Sequence, residues 1–367
     1  MIPFLQLTPG EDAGAVRSAI DTVVARGWFV LGPELDAFEA EFAAAASAPH
    51  AIGVGTGTDA IALALRALGI GHGDEVITSP LSAAFSALAI MMAGARPVFA
   101  DIDPKRLTID PAAVDAAVTS RTAAILPVHI YGQPADMPGL VRVAERHALA
   151  IVEDCCQSHL ATCAGRPAGS YGVAAAYSFY PTKNLGALGD GGAITVKDPE
   201  LAAKLKRLRN GGQTTRYQHL EFGVNSRLDE LQAAILRARL RFLPRWTARR
   251  RELAVAYRER LRDTAMLSVP PEEDAGHVYH LFPVLSPERD ALRNHLQAQG
   301  IETLIHYPLP ISRQPAVAAD GAAECPVADR VCREVFSLPL YPSLETEKVA
   351  RVAQAAMSFA HAADRAE

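Results

Sequence analysis

The chain lacks the features that mark several large functional classes. Cysteine is scarce: Cys155, Cys156, Cys163, Cys325 and Cys332 are the only five, and none forms a CxxC pair. An odd count without paired spacing does not describe a disulfide framework, so reduced thiols in a cytoplasmic protein are expected. The eleven histidines contain no HExxH and no cluster with cysteine, and no metal site is expected. Positive charge is not in excess. The formal net charge is -5, which argues against nucleic acid as a partner. The longest apolar run, "SALAIMMAGA" at 86–95, falls short of the roughly 20 residues that span a bilayer, so no membrane partner is expected. The opening "MIPFLQLTPG" has neither a basic start nor a long apolar stretch, and no signal peptide is expected.

What remains is the composition of a soluble globular protein with a full core: 49% hydrophobic and 21% charged over 367 residues. That length suggests two units. Up to about residue 200, short apolar strands at 75–78, 97–102, 123–130, 149–154, 174–180 and 193–197 alternate with helical segments such as 59–68, 111–118 and 137–147. Buried strands alternating with helices predict an α/β fold with a mostly parallel sheet covered on both faces. Ligands of such sheets sit beyond the carboxyl ends of the strands. A long basic helical pattern follows at 239–262, then a strand at 277–286 and a helix at 289–300 with a glycine stop. These predict a large unit over 1–244 and a smaller C-terminal α+β unit over 245–367. The run Arg245, Arg249, Arg250 and Arg251 reads as a solvated helix face, with anion binding as the alternative.

Four stretches just after predicted strands carry the chemistry. In "IGVGTGTDAIALAL" (52–65), a strand ends in Gly53, Gly55 and Gly57, and Thr58 or Asp59 is placed to cap a helix. Free amides at a helix start suit a phosphate; a plain strand-to-helix turn is the alternative. The spacing matches neither GxGxxG nor GxxxxGK[ST]. In "IVEDCCQSH" (151–159), Asp154 follows a strand and needs either a cationic partner or a helix to cap. In "SFYPTKNLGALGDGG" (178–192), Lys183 differs from the other five lysines: each of those lies beside or within two residues of another charge, whereas Lys183 has none nearer than Asp190. A desolvated lysine loses its proton readily and becomes a nucleophile for a carbonyl. In "FGVNSRLDELQAAIL" (222–236), a core-facing helix from about Ser226 is preceded by Asn225, with N-capping by Asn225 or Ser226 as the simplest role. A phosphate cradle, a strand-end aspartate and an isolated lysine are the parts a pyridoxal phosphate enzyme needs.

With these motifs in order, the sequence resembles the DegT family of sugar aminotransferases. The resemblance runs through "GWFVLGPELDAFE", "GTGTDA", "GARPVFADID", "PVHIYGQPADM", "EDCCQSH", "SFYPTKNLGALGDGGA", "GVNSRLDELQAAIL", "ETLIHYPLP" and "SLPLYP", nearly the whole chain. It implies the aspartate-aminotransferase-like fold, type I among pyridoxal phosphate enzymes. By matching position it implies Lys183 as the lysine that binds the cofactor, Asp154 as partner of the pyridine nitrogen, and Gln157 near the ring. Gly57, Thr58 and Ser178 would hold the phosphate. Asn225 would reach the phosphate in a partner subunit, so a homodimer with shared sites is implied, with Tyr217 and Arg227 near that interface. His306 and Tyr307 lie in "IHYPLP", a segment like that of relatives acting on carbon 3 of nucleotide sugars.

Three segments depart from the pattern. The segment 79–90 has Ala83 or Ala84 where the family places a bulky residue on the cofactor face, with Phe85 as a substitute. Ser312 stands where histidine is frequent, and Cys155 and Cys156 where alanines are usual. Relatives that dehydrate sugars carry histidine at the lysine position, which Lys183 argues against. The resemblance implies amino transfer, from L-glutamate by family habit, to a nucleotide-linked ketosugar. A keto-cyclitol acceptor is the alternative within the same chemistry, and a non-catalytic binder the alternative outside it.

Overall fold

The computed structural model describes residues 1–262, 264, 266–317 and 324–363. Its centre is a seven-stranded sheet of β1 (His50–Val54), β2 (Glu75–Thr78), β3 (Arg96–Phe99), β4 (Thr122–Leu126), β5 (Ala150–Asp154), β6 (Ala174–Ser178) and β7 (Gly192–Val196). The strand order is β1-β7-β6-β5-β4-β2-β3. All neighbours are parallel except β7, which is antiparallel to both β1 and β6. The sheet is therefore mixed and mostly parallel, as the strand-helix alternation predicts.

Both faces are covered, and successive strand residues face opposite ways. On one face, α3 (Gly57–Ala67) buries Ile61, Leu63 and Leu65 in a cluster with Ile52, Val54, Val152, Ala174, Ala176 and Ile194. On the other, α2 (Pro33–Ala45) packs Leu35, Phe38 and Phe42 against Ala51, Ala175, Tyr177 and Ala193. Beside it, α6 (Met137–His147) sets Leu140 and Val143 on Ile77, Ile125 and Ile151. These alternating apolar residues explain why a one-residue slip would be ruinous: it would turn each strand's small and large side chains onto the wrong helix layer.

A separate core gathers Leu253, Tyr257, Phe282, Val284, Leu296, Phe336 and Val349, with Ile2 from the start of the chain. It is built on a two-stranded antiparallel pair, Phe282–Leu285 and Val335–Leu338, and on the helices Arg289–Ala298 and Thr346–Ala363. Helix Leu243–Leu261 joins the cores, with Leu243 in the first and Leu253 onward in the second. We propose this helix as the junction of the two units.

Several local expectations change. The strand expected over 123–130 ends at Leu126, because Pro127 has no N–H for the ladder. The strand expected over 277–286 is confined to Phe282–Leu285, since the chain turns at Tyr279 in a left-handed conformation, φ 46°. The basic pattern at 239–262 is two helices, Glu230–Leu240 and Leu243–Leu261, the second with Pro244 in its first turn, where no intrahelical N–H is required. The arginine run is not a uniform solvated face. Arg250 is 4% exposed, and its Nη1 donates to the carbonyls of Tyr279, His280 and Leu340.

One buried carboxylate ties distant segments. Glu230, fully buried at the start of helix Glu230–Leu240, accepts from the amides of Gly32 at 3.0 Å, Glu34 at 2.9 Å and Leu35 at 2.8 Å. These are orphan donors at the start of α2. Charge-assisted hydrogen bonds contribute more than neutral ones. Replacing Glu230 with alanine is expected to destabilise the fold by about 2–4 kcal/mol, read as a lower urea midpoint with an unchanged m-value.

Candidate active site

The carboxyl ends of β5 and β6 and the N-terminus of α3 meet at one place. The helix starts earlier than its sequence pattern predicts. Thr56 is the N-cap, its hydroxyl accepting from Asp59 N at 3.0 Å, rather than Thr58 or Asp59. Ala60 N is taken by the Thr56 carbonyl. The amides of Gly57 and Thr58 have no acceptor within the helix, and they point outward from its positive end.

Two glycines make this geometry possible. A Cβ on Gly57 would lie 2.7 Å from Ser178 Cβ and 2.8 Å from Cys156 Sγ. A Cβ on Gly192 would lie 2.3 Å from the Thr56 carbonyl oxygen. Gly192 pairs with Ser178 across β6 and β7, so the helix start rests directly on the strand ends. Ser178 is thereby placed beside the free amides. The segment from Asn225 to Arg227 supports the same turn from behind. Its helix begins only at Glu230, with Asp229 as N-cap, so neither Asn225 nor Ser226 caps it. Ser226 instead accepts from Gly55 N at 2.9 Å and donates to Asp59 Oδ2 at 2.7 Å.

Asp154 is 5% exposed at the end of β5. No helix follows it, so it caps none. One oxygen accepts from Cys156 N at 3.1 Å and the other from Ser86 Oγ at 2.8 Å. Gln157 is also buried, accepting from Tyr131 N at 2.8 Å and donating to Tyr307 Oη at 3.2 Å. Tyr131 holds φ 60°, a left-handed conformation unusual for a bulky residue, and its hydroxyl donates to the His306 carbonyl at 2.5 Å. Thus His306 and Tyr307 are brought to Gln157 by a turn that leaves no mark in the sequence.

Lys183 follows β6 in a turn closed by its own amide on the Tyr180 carbonyl at 2.8 Å. Among the described residues its Nζ makes no hydrogen bond or ion pair. Burial lowers its pKa from the usual lysine value, with Cys156 and Asp154 partly opposing. The neighbouring Asn184 locks the loop, donating to the Val278 carbonyl at 3.0 Å and meeting His280 Nδ1 at 3.2 Å. His306 is pushed down to about 4, first by burial and then by the Lys183 charge, and His159 to about 3 by the same two causes. Each is neutral near pH 7.

The structure therefore gathers Gly57, Thr58, Asp154, Gln157, Ser178, Lys183, His306 and Tyr307. It does not bring the other four to them within this chain. Phe85 is 62% exposed, on the helix position next to the buried Ser86. Tyr217 is 76% exposed under Arg216, Asn225 is exposed, and Arg227 donates to Asn210 Oδ1 at 3.0 Å. Sequence reasoning missed Ser86, Tyr131, Asn184 and Ser226. Ser86 alone left a signal, as a hydroxyl within an otherwise apolar helix.

The donor set fits pyridoxal phosphate. Two free helix amides beside a serine suit a phosphate, an unpaired amine suits an aldehyde, and a buried carboxylate held by two donors suits a ring N–H. Among the described residues, His129, Glu153 and Cys155 also lie close enough to share a metal ion. Their atoms are otherwise engaged: Glu153 accepts from the amides of Gly169, Tyr171 and Gly172, and His129 Nδ1 from Ala135 N. That assembly reads as a satisfied interior.

The chain is similar to known proteins over almost its full length. Residues 11–357 match the model of the DegT/DnrJ/EryC1/StrS aminotransferase family. The dTDP-3-amino-3,4,6-trideoxy-alpha-D-glucose transaminase of Streptomyces venezuelae is 46% identical, with 100% of this chain and 98% of that protein covered. The crystal structure of S. venezuelae DesV superposes with a TM-score of 0.94 at 47% identity, covering 98% of each chain. NtdA of Bacillus subtilis, solved with its cofactor PMP bound, superposes with a TM-score of 0.90 at 30% identity, covering 97% of this chain and 85% of that one.

Removing the Ser86 hydroxyl tests how Asp154 is held. Ser86→Ala is expected to weaken pyridoxal phosphate binding roughly tenfold, as loss of one hydrogen bond to a charged group does, while the melting temperature stays close to the parent's. Fluorescence titration of the apoprotein with the cofactor measures it.

Proposed function

The chain belongs to the DegT/DnrJ/EryC1/StrS aminotransferase family, and from that premise we propose that it moves an amino group from L-glutamate to the carbon-3 ketone of a nucleotide-linked sugar. The enzyme is an aminotransferase dependent on pyridoxal phosphate, as the family is. The observation that carries the reading is Lys183: a lysine amine with no ion pair or hydrogen bond among the described residues, held beside a phosphate cradle and a buried carboxylate. The name of the Streptomyces relative, a 3-amino sugar transaminase, supports the acceptor class.

Gly57, Thr58 and Ser178 would hold the phosphate, Asp154 the ring nitrogen, and Lys183 the aldehyde carbon. When bound, pyridoxal phosphate supplies an electron-accepting ring that makes the proton on the donor's α-carbon acidic. Lys183 is suited to take that proton and return it, because burial favours its neutral form. Asp154 stays fixed while this happens, since both its oxygens are already held. Neutral His306 and His159 add no competing charge near the amine. Gln157 and Tyr307, bonded to each other, form one wall against which an acceptor can be oriented.

A homodimer is part of the proposal. Asn225, Tyr217 and Phe85 lie outside the site of their own chain and are exposed, as are Trp28, Leu220 and Phe222. Exposed aromatics in such number favour a partner surface. No helix among the described residues is long and apolar enough to cross a membrane. All five cysteines are free, which supports a cytoplasmic location.

Adding L-glutamate to the purified holoenzyme is expected to shift the bound cofactor's absorbance from the visible to the near-ultraviolet. Lys183→Ala should lose at least a thousandfold in turnover. A nucleoside diphosphate should compete with the acceptor; failure to compete would transfer the reading to a keto-cyclitol. Separately, light scattering should return the mass of two chains, and Phe222→Glu should shift it toward one. A monomeric parent protein would remove the shared site.

A further inference from the structure

Four of the five cysteines are buried, and Cys156 is not. Its setting in the chain makes this unusual. Cys155 and His159 are fully buried, Gln157 is 5% exposed and Ser158 1%. The one open side chain of the segment 155–159 is therefore a thiol.

Three contacts fix where that thiol lies. Cys156 N donates to Asp154 Oδ1 at 3.1 Å, which holds the residue at the end of β5. Sγ is 3.9 Å from the Ala176 carbonyl on β6, and a thiol is a weak donor at best. A Cβ on Gly57 would come within 2.8 Å of Sγ, so the sulfur lies against the first residue of α3. The charges that act on it are Asp154 and Lys183, in opposite directions. Sγ thus stands among the three groups that suit pyridoxal phosphate: the free amides of Gly57 and Thr58, the Asp154 carboxylate and the Lys183 amine. A pyridine ring that meets Asp154 at its nitrogen, the amides at its phosphate and Lys183 at its aldehyde carbon has to cross the space between them. Cys156 is the side chain that opens there.

We propose that Cys156 is a thiol guarded by the cofactor: its sulfur forms the floor beneath the ring, and a substituent on that sulfur and the cofactor exclude each other. The inference rests on the cofactor assignment and is independent of the acceptor sugar. The class of modifier is a small disulfide or thiosulfonate. The thiolate sulfur attacks one sulfur of the reagent, a new S–S bond forms as the old bond to that sulfur breaks, the leaving sulfur takes the electron pair, and the thiol proton passes to solvent. With the start of α3 on one side and the β6 carbonyl on another, an added group extends into the space the ring needs. Burial first, and then Asp154, raise this thiol well above its usual value, with Lys183 opposing. At neutral pH the sulfur is therefore S–H. It does not compete with Lys183 for the aldehyde, and it exchanges only through a small thiolate fraction.

Methyl methanethiosulfonate, which leaves a methylthio group on sulfur and releases methanesulfinate, tests this at mildly alkaline pH, with peptide mass spectrometry as the readout. Cys156 should be labelled in the apoprotein and protected in the holoenzyme. The labelled apoprotein should bind pyridoxal phosphate roughly tenfold more weakly or worse in a fluorescence titration, as overfilling a packed site does. Dithiothreitol should restore the affinity. Cys156→Ala should show one cofactor affinity before and after treatment. Should that variant have a lowered melting temperature, Cys156→Ser carries the comparison. Equal labelling of Cys156 with and without cofactor overturns the proposal. So does a labelled parent whose affinity is unchanged. A treated Cys156→Ala that loses affinity as the parent does also overturns it, by assigning the effect to another cysteine. The cofactor assignment fails separately: it falls if the untreated parent apoprotein does not bind pyridoxal phosphate, whatever the reagent does.

Discussion

The close approach of Gly192 to Thr56 governs where the rest of the site can be. With no side chain at 192, the start of α3 rests on the ends of β6 and β7. Two unsatisfied amides then face Ser178 and stand near the lysine that leaves β6. Any larger residue would push the helix off the sheet and remove the anion cradle together with its supports. The position of β5 follows from the same sheet, so Asp154 arrives beside the cradle through strand pairing alone. Side-chain contacts then refine what the backbone has already set.

The parts of this arrangement that the amino-acid sequence makes legible are the local ones. Strand-helix alternation declares the sheet, and the isolation of Lys183 among six lysines declares the reactive amine. Asp154 is visible because a carboxylate at a strand end needs a reason. What sequence reasoning misses has a common physical cause: it depends on residues far apart along the chain. Ser86 reaches Asp154 across 68 positions, and Glu230 reaches the start of α2 across 196. The helix cap at Thr56 is a different case, because the hydroxyls of Thr56 and Thr58 satisfy the same local rule. Arg250 resembles its neighbours at 245, 249 and 251, since a one-dimensional run of charge does not show which member turns inward.

The interior around the lysine is organised by keeping charges few. His159, His280 and His306 are each driven neutral by burial and by the lysine itself. The carboxylates of Asp154, Glu153 and Asp12 are committed to amides, a hydroxyl or an arginine. A low-dielectric pocket with few fixed charges magnifies each one that remains. The same restraint explains the two cysteines in "EDCCQSH". Burial raises both thiols well above the usual value, so they behave as small neutral fillers beside Asp154.

The antiparallel placement of β7 also shapes how the chain can assemble. In the sheet, β1 borders β7 and no other strand, and the two are far apart in sequence, with His50 lying opposite Val196. On a chain emerging from its N-terminus, β1 has no sheet partner until most of the large unit has been made. The intervening strands β2 to β6 can pair and collapse first, because each finds a neighbour among themselves. Until β7 arrives, β1 and the cradle turn that follows it present an open strand edge. This long-range closure is a step of high contact order, so β1 and the turn that carries the cradle stay open to aggregation during synthesis until β7 has been made.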